Sequence, residues 1–179
     1  MPDRDPAVTV RVARLHADDA ARAAFLAHAP ALDELARSAL SEHDFSLEVE
    51  LSRPFFRACA AWLGDAGERP AGFILAAIGA DELHIHSVVV DPRARRLGLG
   101  RALTRAALED GAATGQRIAL LEVRRSNTAA IRLYRSLDFV AVRVRRDYYA
   151  DPREDAVEMA CELEPGALAG FDVVEVGGT

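Results

Sequence analysis

The feature that most constrains the fold is a strand that leads through a basic, glycine-containing loop into a long helix. The apolar run Glu82–Val90 has strand character, and the loop DPRARRLGLG follows it directly. From Leu99 onward, apolar residues recur at helical spacing until Gly115, a residue typical of helix ends. Such a strand–loop–helix unit predicts an α/β protein with its ligand site at the loop.

The rest of the chain places strands and helices in mixed order. Alternation of Val8, Val10 and Val12 predicts a first strand. Helices are predicted over 16–30 and 31–40, and FSLEVELSRP extends the second or forms a short third one. Further strands are predicted over 55–63, 71–78, 117–123, 139–146 and 156–163, a helix from Asn127 to about Leu137, and a small added strand at DVVEV. The order β-α-α-β-β-β-α-β-α-β-β predicts one mixed α/β (α+β) sheet in a single domain.

Size and charge limit the classes of function. The chain has 179 residues, half of them hydrophobic, which suits one globular domain. All 22 basic residues are arginine, and residues 93–153 carry 14 of them against 6 acidic residues, between acidic flanks. We therefore expect no direct nucleic-acid binding, but a small polyanion in the basic middle and a cationic partner elsewhere. Solvated, arginine-rich helix faces are the alternative.

Compartment is inferred from what the sequence lacks. No apolar run approaches the ~18 residues of a membrane span, and MPDRDPAVTV lacks a signal-peptide layout. Cys59 and Cys161 lie in apolar stretches and are expected to be reduced core thiols. We expect a cytoplasmic protein without membrane contact, either a monomer or a weak homodimer.

The arginine–glycine loop, residues 95–102, predicts an anion site. It consists of Arg95, Arg96, Leu97, Gly98, Leu99, Gly100, Arg101 and Ala102. Glycine lets the backbone approach a ligand, the first helical N–H groups can bind an anion, and guanidinium groups add charge. A dinucleotide fingerprint would need a third glycine where Leu103 stands, and a Walker-type phosphate loop needs a lysine. Taken alone, the pattern also fits a plain helix start.

Three further segments accompany this loop in the sequence. VVVDP precedes the Arg-x-x-Gly-x-Gly pattern, and LEVRRSNTAAIRLYRSLDF and RRDYYADPREDAVEMA follow it. Together they resemble the GNAT superfamily of acetyltransferases, and within it the RimI group of protein N-terminal acetyltransferases. The resemblance covers residues 82–163. It implies a GNAT domain over 1–164 that uses acetyl-CoA as co-substrate, and it leaves 165–179 as an extension of unknown role.

Glu122 is the candidate general base. It lies among apolar neighbours in a predicted strand, an environment in which a carboxylate can act as a base. The resemblance implies the same role, because Glu122 falls on the glutamate of the family's Leu-Glu-Val-Arg. The alternative is a rim carboxylate paired with Arg124 or Arg125.

Tyr134 and Asn127 are assigned from the same resemblance. Tyr134 matches the general-acid tyrosine of the family's Leu-Tyr-x-x-x-Gly-Phe, and a phenol with a reference pKa of ~10 can donate to a thiolate near ~8.5. Its alternative is core packing. Asn127 is implied to contact the cofactor arm, caps the helix, or does both. Asp138 replaces the family's glycine at the helix end, where positive φ costs about 1 kcal/mol.

The resemblance also implies binding residues outside the loop. In GNAT proteins the strand before the loop pairs with the pantetheine amides, a role that falls on the backbone of Val88 and Val90. Tyr148 and Tyr149 resemble a tyrosine pair that lines the peptide entrance; packing on the sheet is the alternative. His84 and His86 share a strand face, but without a third ligand we expect no metal.

Three functions therefore compete. The first is acetylation of a protein N-terminus, by resemblance that of a ribosomal protein beginning with alanine. The second is acetylation of a small amine or a protein lysine. The third, of another class, is a non-catalytic acetyl-CoA-binding module. Retention of both Glu122 and Tyr134 argues against the third, and the tyrosine pair favours the first over the second.

Overall fold

The computed structural model describes residues 10–15, 20, 23, 27–40, 46–63 and 69–176. Most of the helix predicted over 16–30 lies outside these residues, as does Val8 of the first predicted strand. Within the described part, the order of helices and strands agrees with the prediction.

The described elements form a mixed α/β arrangement. The strands are β1 (Val10–Arg14), β2 (Phe56–Leu63), β3 (Gly72–Ile78), β4 (Glu82–Val90), β5 (Ile118–Arg124), β6 (Val140–Ala150) and β7 (Arg153–Glu162). The helices are α1 (Ala29–Leu40), α2 (Leu47–Leu51), α3 (Leu99–Ala113) and α4 (Thr128–Arg135), with a short 3-10 helix at Pro92–Ala94. FSLEVELSRP therefore forms its own short helix, capped by the Ser46 side chain, which accepts a hydrogen bond from the Val49 N–H.

One seven-stranded sheet contains all the described strands, in the order β1-β2-β3-β4-β5-β7-β6. β4 and β5 run parallel, whereas β1–β2, β5–β7 and β6–β7 are antiparallel pairs. The predicted mixed sheet is confirmed. The predicted strand at DVVEV is wrong, because residues 172–176 have no strand assignment and make one backbone bond to β6, from Val174 N–H to the Ala141 carbonyl at 2.8 Å.

The described residues fall into two compact units. The first comprises residues up to Leu75 together with Ser87–Ala107, and the second comprises Ala76–His86 with the chain from Leu108 onward. β3, β4 and α3 each contribute residues to both units.

In the first unit, the backbones of β3 and β4 approach each other closely at Gly72. A Cβ atom on Gly72 would lie 2.7 Å from the Val89 carbonyl oxygen, so only glycine allows β3 to pass β4 at this distance. Leu99 and Leu103 of α3 are almost fully buried, as their helical spacing predicts. The N-terminal half of α3 is therefore anchored by its apolar side.

The second unit is built around β5. This strand pairs with β4 on one side and β7 on the other, and its apolar run is buried as expected for a central strand. The C-terminal segment, residues 163–176, adds Ala167, Leu168 and Phe171 to a cluster with Ile118 and Leu120 of β5. The segment is thus packed against the sheet. Cys161 also lies in this unit, and burial raises the pKa of its free thiol to about 11, in keeping with the predicted core thiol.

Candidate active site

Asp91 fixes the chain between β4 and the arginine–glycine loop. Its carboxylate accepts hydrogen bonds from the Arg93 backbone N–H at 2.9 Å and from the Arg93 guanidinium at 2.8 and 3.1 Å. These bonds lower the pKa of Asp91 to about 2, and the bond from the Arg93 side chain makes the largest contribution. The Asp91 N–H in turn donates to the Ala71 carbonyl at 2.8 Å. These bonds therefore hold the segment between β4 and the loop.

The arginine–glycine loop exposes backbone at the start of α3. Arg96 and Gly98 both have positive φ, 67° and 85°. Arg95, Arg96 and Leu97 are exposed. The helix begins with a hydrogen bond from the Ala102 N–H to the Gly98 carbonyl. Since the first N–H groups of a helix lack partners within it and lie at its positive end, the loop has the form of an anion site.

The end of β4 extends beyond its pairing with β5. The paired residues run from Glu82 with Ile118 to Ile85 with Leu121, whereas β4 continues to Val90. Val88 and Val90 are half-buried in the first unit. Their position along β4 is the one from which a backbone could pair with an extended ligand.

Glu122 lies in the second unit with its side chain 15% exposed. Its Oε1 accepts a hydrogen bond from Arg145 Nη1 at 2.7 Å. The pairing with Arg124 or Arg125 considered for a rim carboxylate is wrong, since Arg124 pairs with Glu154 and Arg125 with Asp155. Glu122 instead belongs to a cluster that includes β6.

Tyr134 is a buried residue of α4, 8% exposed. Burial, with a smaller contribution from the charge of Tyr149, raises its pKa to about 12. Its ring lies 5.7 Å from that of Phe139, so it also packs in the core. The phenol is therefore protonated at neutral pH.

Both ends of α4 are held as the sequence predicts. The Asn127 side chain accepts a hydrogen bond from the Ala130 N–H at 3.1 Å, which confirms its capping role. Asp138 adopts the expected positive φ, 66°, and the Phe139 N–H then bonds to the Tyr134 carbonyl at 3.1 Å. The helix ends at Arg135, slightly earlier than predicted. Asp138 thus preserves the turn that a glycine would form.

The tyrosine pair, Tyr148 and Tyr149, is held between two arginines. The two rings meet edge to face at 5.1 Å. The guanidinium carbon of Arg145 lies 4.3 Å from the Tyr148 ring centroid, and that of Arg124 lies 4.1 Å from the Tyr149 centroid. The Tyr149 hydroxyl donates a hydrogen bond of 3.4 Å to the Glu122 carbonyl. β6 extends to Ala150, beyond the predicted end, and carries the pair.

These contacts define the Glu122 cluster: Glu122, Arg145, Tyr148 and Tyr149. The predicted base thus contacts the predicted peptide-entrance residues, and Tyr134, the predicted acid, belongs to the same unit. Sequence reasoning missed Arg145, whose role depends on the β6–β7 register and a bulge after Ala141. The motif RRDYY contains the signal, but not which arginine faces Glu122.

Glu158 is a second carboxylate that the sequence did not single out. It stands directly opposite Glu122 in the β5–β7 register and has a 13% exposed side chain. Arg143 Nε lies 3.9 Å from its Oε2. Two carboxylates and two guanidiniums therefore share one stretch of the β5–β7–β6 sheet.

Neither a metal site nor a membrane-spanning helix is found in the described part of the chain. His84 and His86 lie 6.1 Å apart by ring centroids, but no described group of three metal-donor residues exists. Among the described helices, none is long and apolar enough to cross a membrane.

Comparison with known proteins places this arrangement in a family. The model of the acetyltransferase (GNAT) family matches residues 29–139. A [ribosomal protein bS18]-alanine N-acetyltransferase of Escherichia coli K12 is 44% identical over 95 residues, which is 52% of this chain and 64% of the relative. The N-alpha-acetyltransferase RimI of Mycobacterium tuberculosis is 44% identical over 78 residues, 44% of this chain and 48% of the relative. The chain thus matches less than two thirds of the length of either relative.

Solved structures agree with the sequence matches. The ribosomal-protein-S18-alanine N-acetyltransferase from Escherichia coli superposes with a TM-score of 0.68 at 29% identity, covering 89% of this chain and 97% of that one. Nourseothricin acetyltransferase superposes with a TM-score of 0.57 at 30% identity, covering 62% and 66%. Since the family model spans more than half of the sequence and the fold agrees, the chain belongs to the GNAT family of acetyltransferases.

Proposed function

We propose that this protein transfers the acetyl group of acetyl-CoA to the N-terminal α-amine of a protein, and that the acceptor is a ribosomal protein beginning with alanine. The observation that carries the proposal is the Glu122 cluster, in which a carboxylate and a tyrosine pair meet, with the buried phenol of Tyr134 in the same unit. The relatives named above, whose names describe this activity, support it.

The arginine–glycine loop fits the pyrophosphate of acetyl-CoA. Its exposed backbone, positive φ at Gly98 and flanking guanidiniums suit a doubly charged, extended anion. A Cβ built on Gly98 would meet no atom within 4 Å, so the space beside the loop is open to a ligand. Bound there, acetyl-CoA would supply the acetyl thioester. Val88, Val90 and Asn127 are proposed to bind its arm.

Glu122 is proposed to accept the proton of the acceptor amine. The attack on the thioester needs a neutral amine, because an ammonium group has no free electron pair. Arg145 donates a hydrogen bond of 2.7 Å to one carboxylate oxygen and so restrains the orientation of the carboxylate. This orientation suits a base that acts directly or through one water molecule.

Tyr134 is proposed to donate to the departing thiolate sulfur. A phenol with pKa about 12 cannot readily give its proton fully to a thiolate near ~8.5, a step that is uphill by about 5 kcal/mol on these values. Its hydroxyl therefore serves first as a hydrogen-bond donor to the developing negative charge, in a site that burial keeps dry. The departing thiolate takes its proton from solvent, to which Glu122 releases the proton of the amine.

The acceptor class follows from the energetics of the amine. Deprotonating an α-amine at pH 7 costs about 1–1.4 kcal/mol, against about 4.6 for a lysine side chain. One glutamate can meet the smaller demand. Tyr148 is 44% exposed beside the half-buried Tyr149, and the pair can contact the first residues of a peptide.

A panel of acceptors tests the proposal. Acetyl transfer should be measured by mass spectrometry with N-terminal peptides, N-terminally blocked lysine peptides and small amines. Fastest transfer to a peptide beginning with alanine supports the proposal, and the Glu122→Gln variant should lose this transfer. No transfer to any acceptor, with acetyl-CoA bound, would instead favour a non-catalytic binding module.

A small-molecule amine is the second candidate acceptor. The likeness to nourseothricin acetyltransferase, at 30% identity and a TM-score of 0.57, is the observation that favours it. In that case a compact amine should outcompete both classes of peptide in the same panel, and substitution of the tyrosine pair should change the rate with the small amine little.

A further inference from the structure

Arg124 joins three parts of the second unit. Its Nη1 donates a hydrogen bond to the Pro152 carbonyl at 2.9 Å, and its Nη2 donates to the Asp151 carbonyl at 2.8 Å. Its guanidinium carbon lies 4.1 Å from the Tyr149 ring centroid. One planar group therefore connects the end of β5, the β6–β7 turn and one member of the tyrosine pair.

Glu154 holds Arg124 in this position. Its Oε2 lies 3.3 Å from Arg124 Nη1, and its Oε1 accepts a hydrogen bond from the Ser126 N–H at 2.6 Å. The hydrogen bonds from Ser126 lower the pKa of the Glu154 carboxyl, and the bond from Arg124 lowers it further by a smaller amount. The carboxylate is thus charged at neutral pH and links the start of β7 to the turn that follows β5.

Tyr149 transmits this support to Glu122. Its ring stacks on Arg124 and meets Tyr148 edge to face at 5.1 Å. Its hydroxyl donates to the Glu122 backbone carbonyl. A shift of the Tyr149 ring would therefore disturb both the tyrosine pair and the backbone at the proposed base.

We propose that Arg124 is a positioning residue that acts through Tyr149 to hold the acceptor entrance beside Glu122. The inference rests on the proposed function, which assigns that entrance to the acceptor. Arginine suits the task because its rigid fork serves two carbonyls while its flat face stacks on an aromatic ring. Lysine cannot do both.

Arg125 provides a matched control. It is the next residue in the chain and carries the same charge, but its side chain is 57% exposed and lies 3.7 Å from Asp155. An effect of net charge would appear equally in Arg124→Gln and Arg125→Gln. An effect of positioning would appear only in the first.

The first measurement is steady-state kinetics with the full-length protein and the best peptide of the acceptor panel. Arg124→Gln should raise the peptide KM about 10-fold, since small displacements in a binding site are costly. Arg124→Lys should recover little of this, and the acetyl-CoA Kd should not change in either variant. A similar rise in Arg125→Gln, or an unchanged peptide KM in Arg124→Gln, would overturn the inference.

A double-mutant cycle with Tyr149→Leu separates positioning from general stability. If Arg124 acts through Tyr149, adding Arg124→Gln to Tyr149→Leu should raise the peptide KM little further. Full multiplication of the two effects would contradict the inference. Should Arg124→Gln fail to fold, Arg124→Lys and Glu154→Gln replace it in the cycle.

Tyrosine NMR tests the same point without any acceptor. The chain has three tyrosines, so the ring signals of carbon-13-labelled tyrosine can be assigned with single Phe variants. Arg124→Gln should shift the Tyr149 signal and leave that of Tyr134 nearly unchanged, whereas Arg125→Gln should shift neither. An unmoved Tyr149 signal refutes the inference, while the wild-type acceptor panel separately decides the proposed function.

Discussion

The arginine–glycine loop and the Glu122 cluster are built in opposite ways. The loop presents backbone from one short stretch of sequence, with positive φ at Arg96 and Gly98 before α3. The cluster presents side chains from β5 and β6, joined by contacts such as Arg145 with Glu122 across 23 positions of the chain. We therefore expect the proposed cofactor binding by the loop to depend on local conformation, and the proposed chemistry of the cluster to depend on strand register.

This contrast separates two kinds of defect. A substitution in the loop should weaken cofactor binding and leave the chemistry of the bound complex intact. A substitution of a reacting side chain in the cluster should slow turnover and leave cofactor affinity intact. A loop substitution that slows turnover of the bound complex, or a cluster substitution that weakens cofactor binding, would contradict this separation.

Glu122→Gln should have the largest effect. Turnover should fall about 10²–10⁴-fold, and most at low pH, where the amine is protonated and needs a base. Pre-steady-state acetyl transfer across about pH 6 to 9 measures this. Glu158→Gln removes the carboxylate directly opposite and should cost much less. Near-normal rates in Glu122→Gln would end the base assignment.

Tyr134→Phe should slow turnover by about 10²-fold or more, since it removes the donor to the thiolate. Because the pKa of Tyr134 is raised to about 12, the donor is present at lower pH and is lost only above that value. The wild-type profile of kcat should therefore show no alkaline fall due to Tyr134 below about pH 10. A fall in kcat below about pH 10 that disappears in the Tyr134→Phe variant would contradict the assignment.

Gly98→Val should weaken acetyl-CoA binding at least about 10-fold, or about 1.4 kcal/mol. Valine disfavours the positive φ of 85° and would remodel the loop. Gly115→Val is the matched control, because Gly115 has the same φ at the other end of α3. Calorimetry should find the acetyl-CoA affinity of this control unchanged, despite a similar loss of stability.

Phe171→Ala should have the smallest effect on function and a measurable effect on stability. We propose that residues 165–179 are an extension that stabilises the domain over 1–164, because Phe171 packs with Ile118 and Leu120. Its removal should lower the free energy of unfolding by about 1–2 kcal/mol. Val173→Ala, at a side chain 65% exposed in the same segment, should change it by less than about 0.5 kcal/mol. Equal effects would refute a packing role.

The loop was predictable because its signal is contiguous. Arginines, glycines and the start of a helical repeat stand next to one another in the sequence, and the positive φ of Gly98 follows from residue type. The positive φ of Asp138 was expected only from the family resemblance, which has a glycine at this helix end. The periodicity likewise placed every described strand within a few residues of its bounds.

The cluster was only partly predictable because its contacts depend on register. Sequence indicated Glu122 and Tyr134, but not that Arg145 would bond to Glu122 in place of Arg124 or Arg125. The bulges in the β6–β7 pairing decide which arginine faces the carboxylate. The raised pKa of Tyr134 likewise results from its burial in the folded chain, which its position in the sequence does not reveal.

The most direct test of the central claim is a single competition within one peptide. The peptide begins with a free alanine and contains one internal lysine, and tandem mass spectrometry after limited reaction shows which nitrogen carries the acetyl group. The account predicts acetylation of the α-amine first, and loss of this product with Glu122→Gln. Acetylation of the lysine ahead of the α-amine would contradict it.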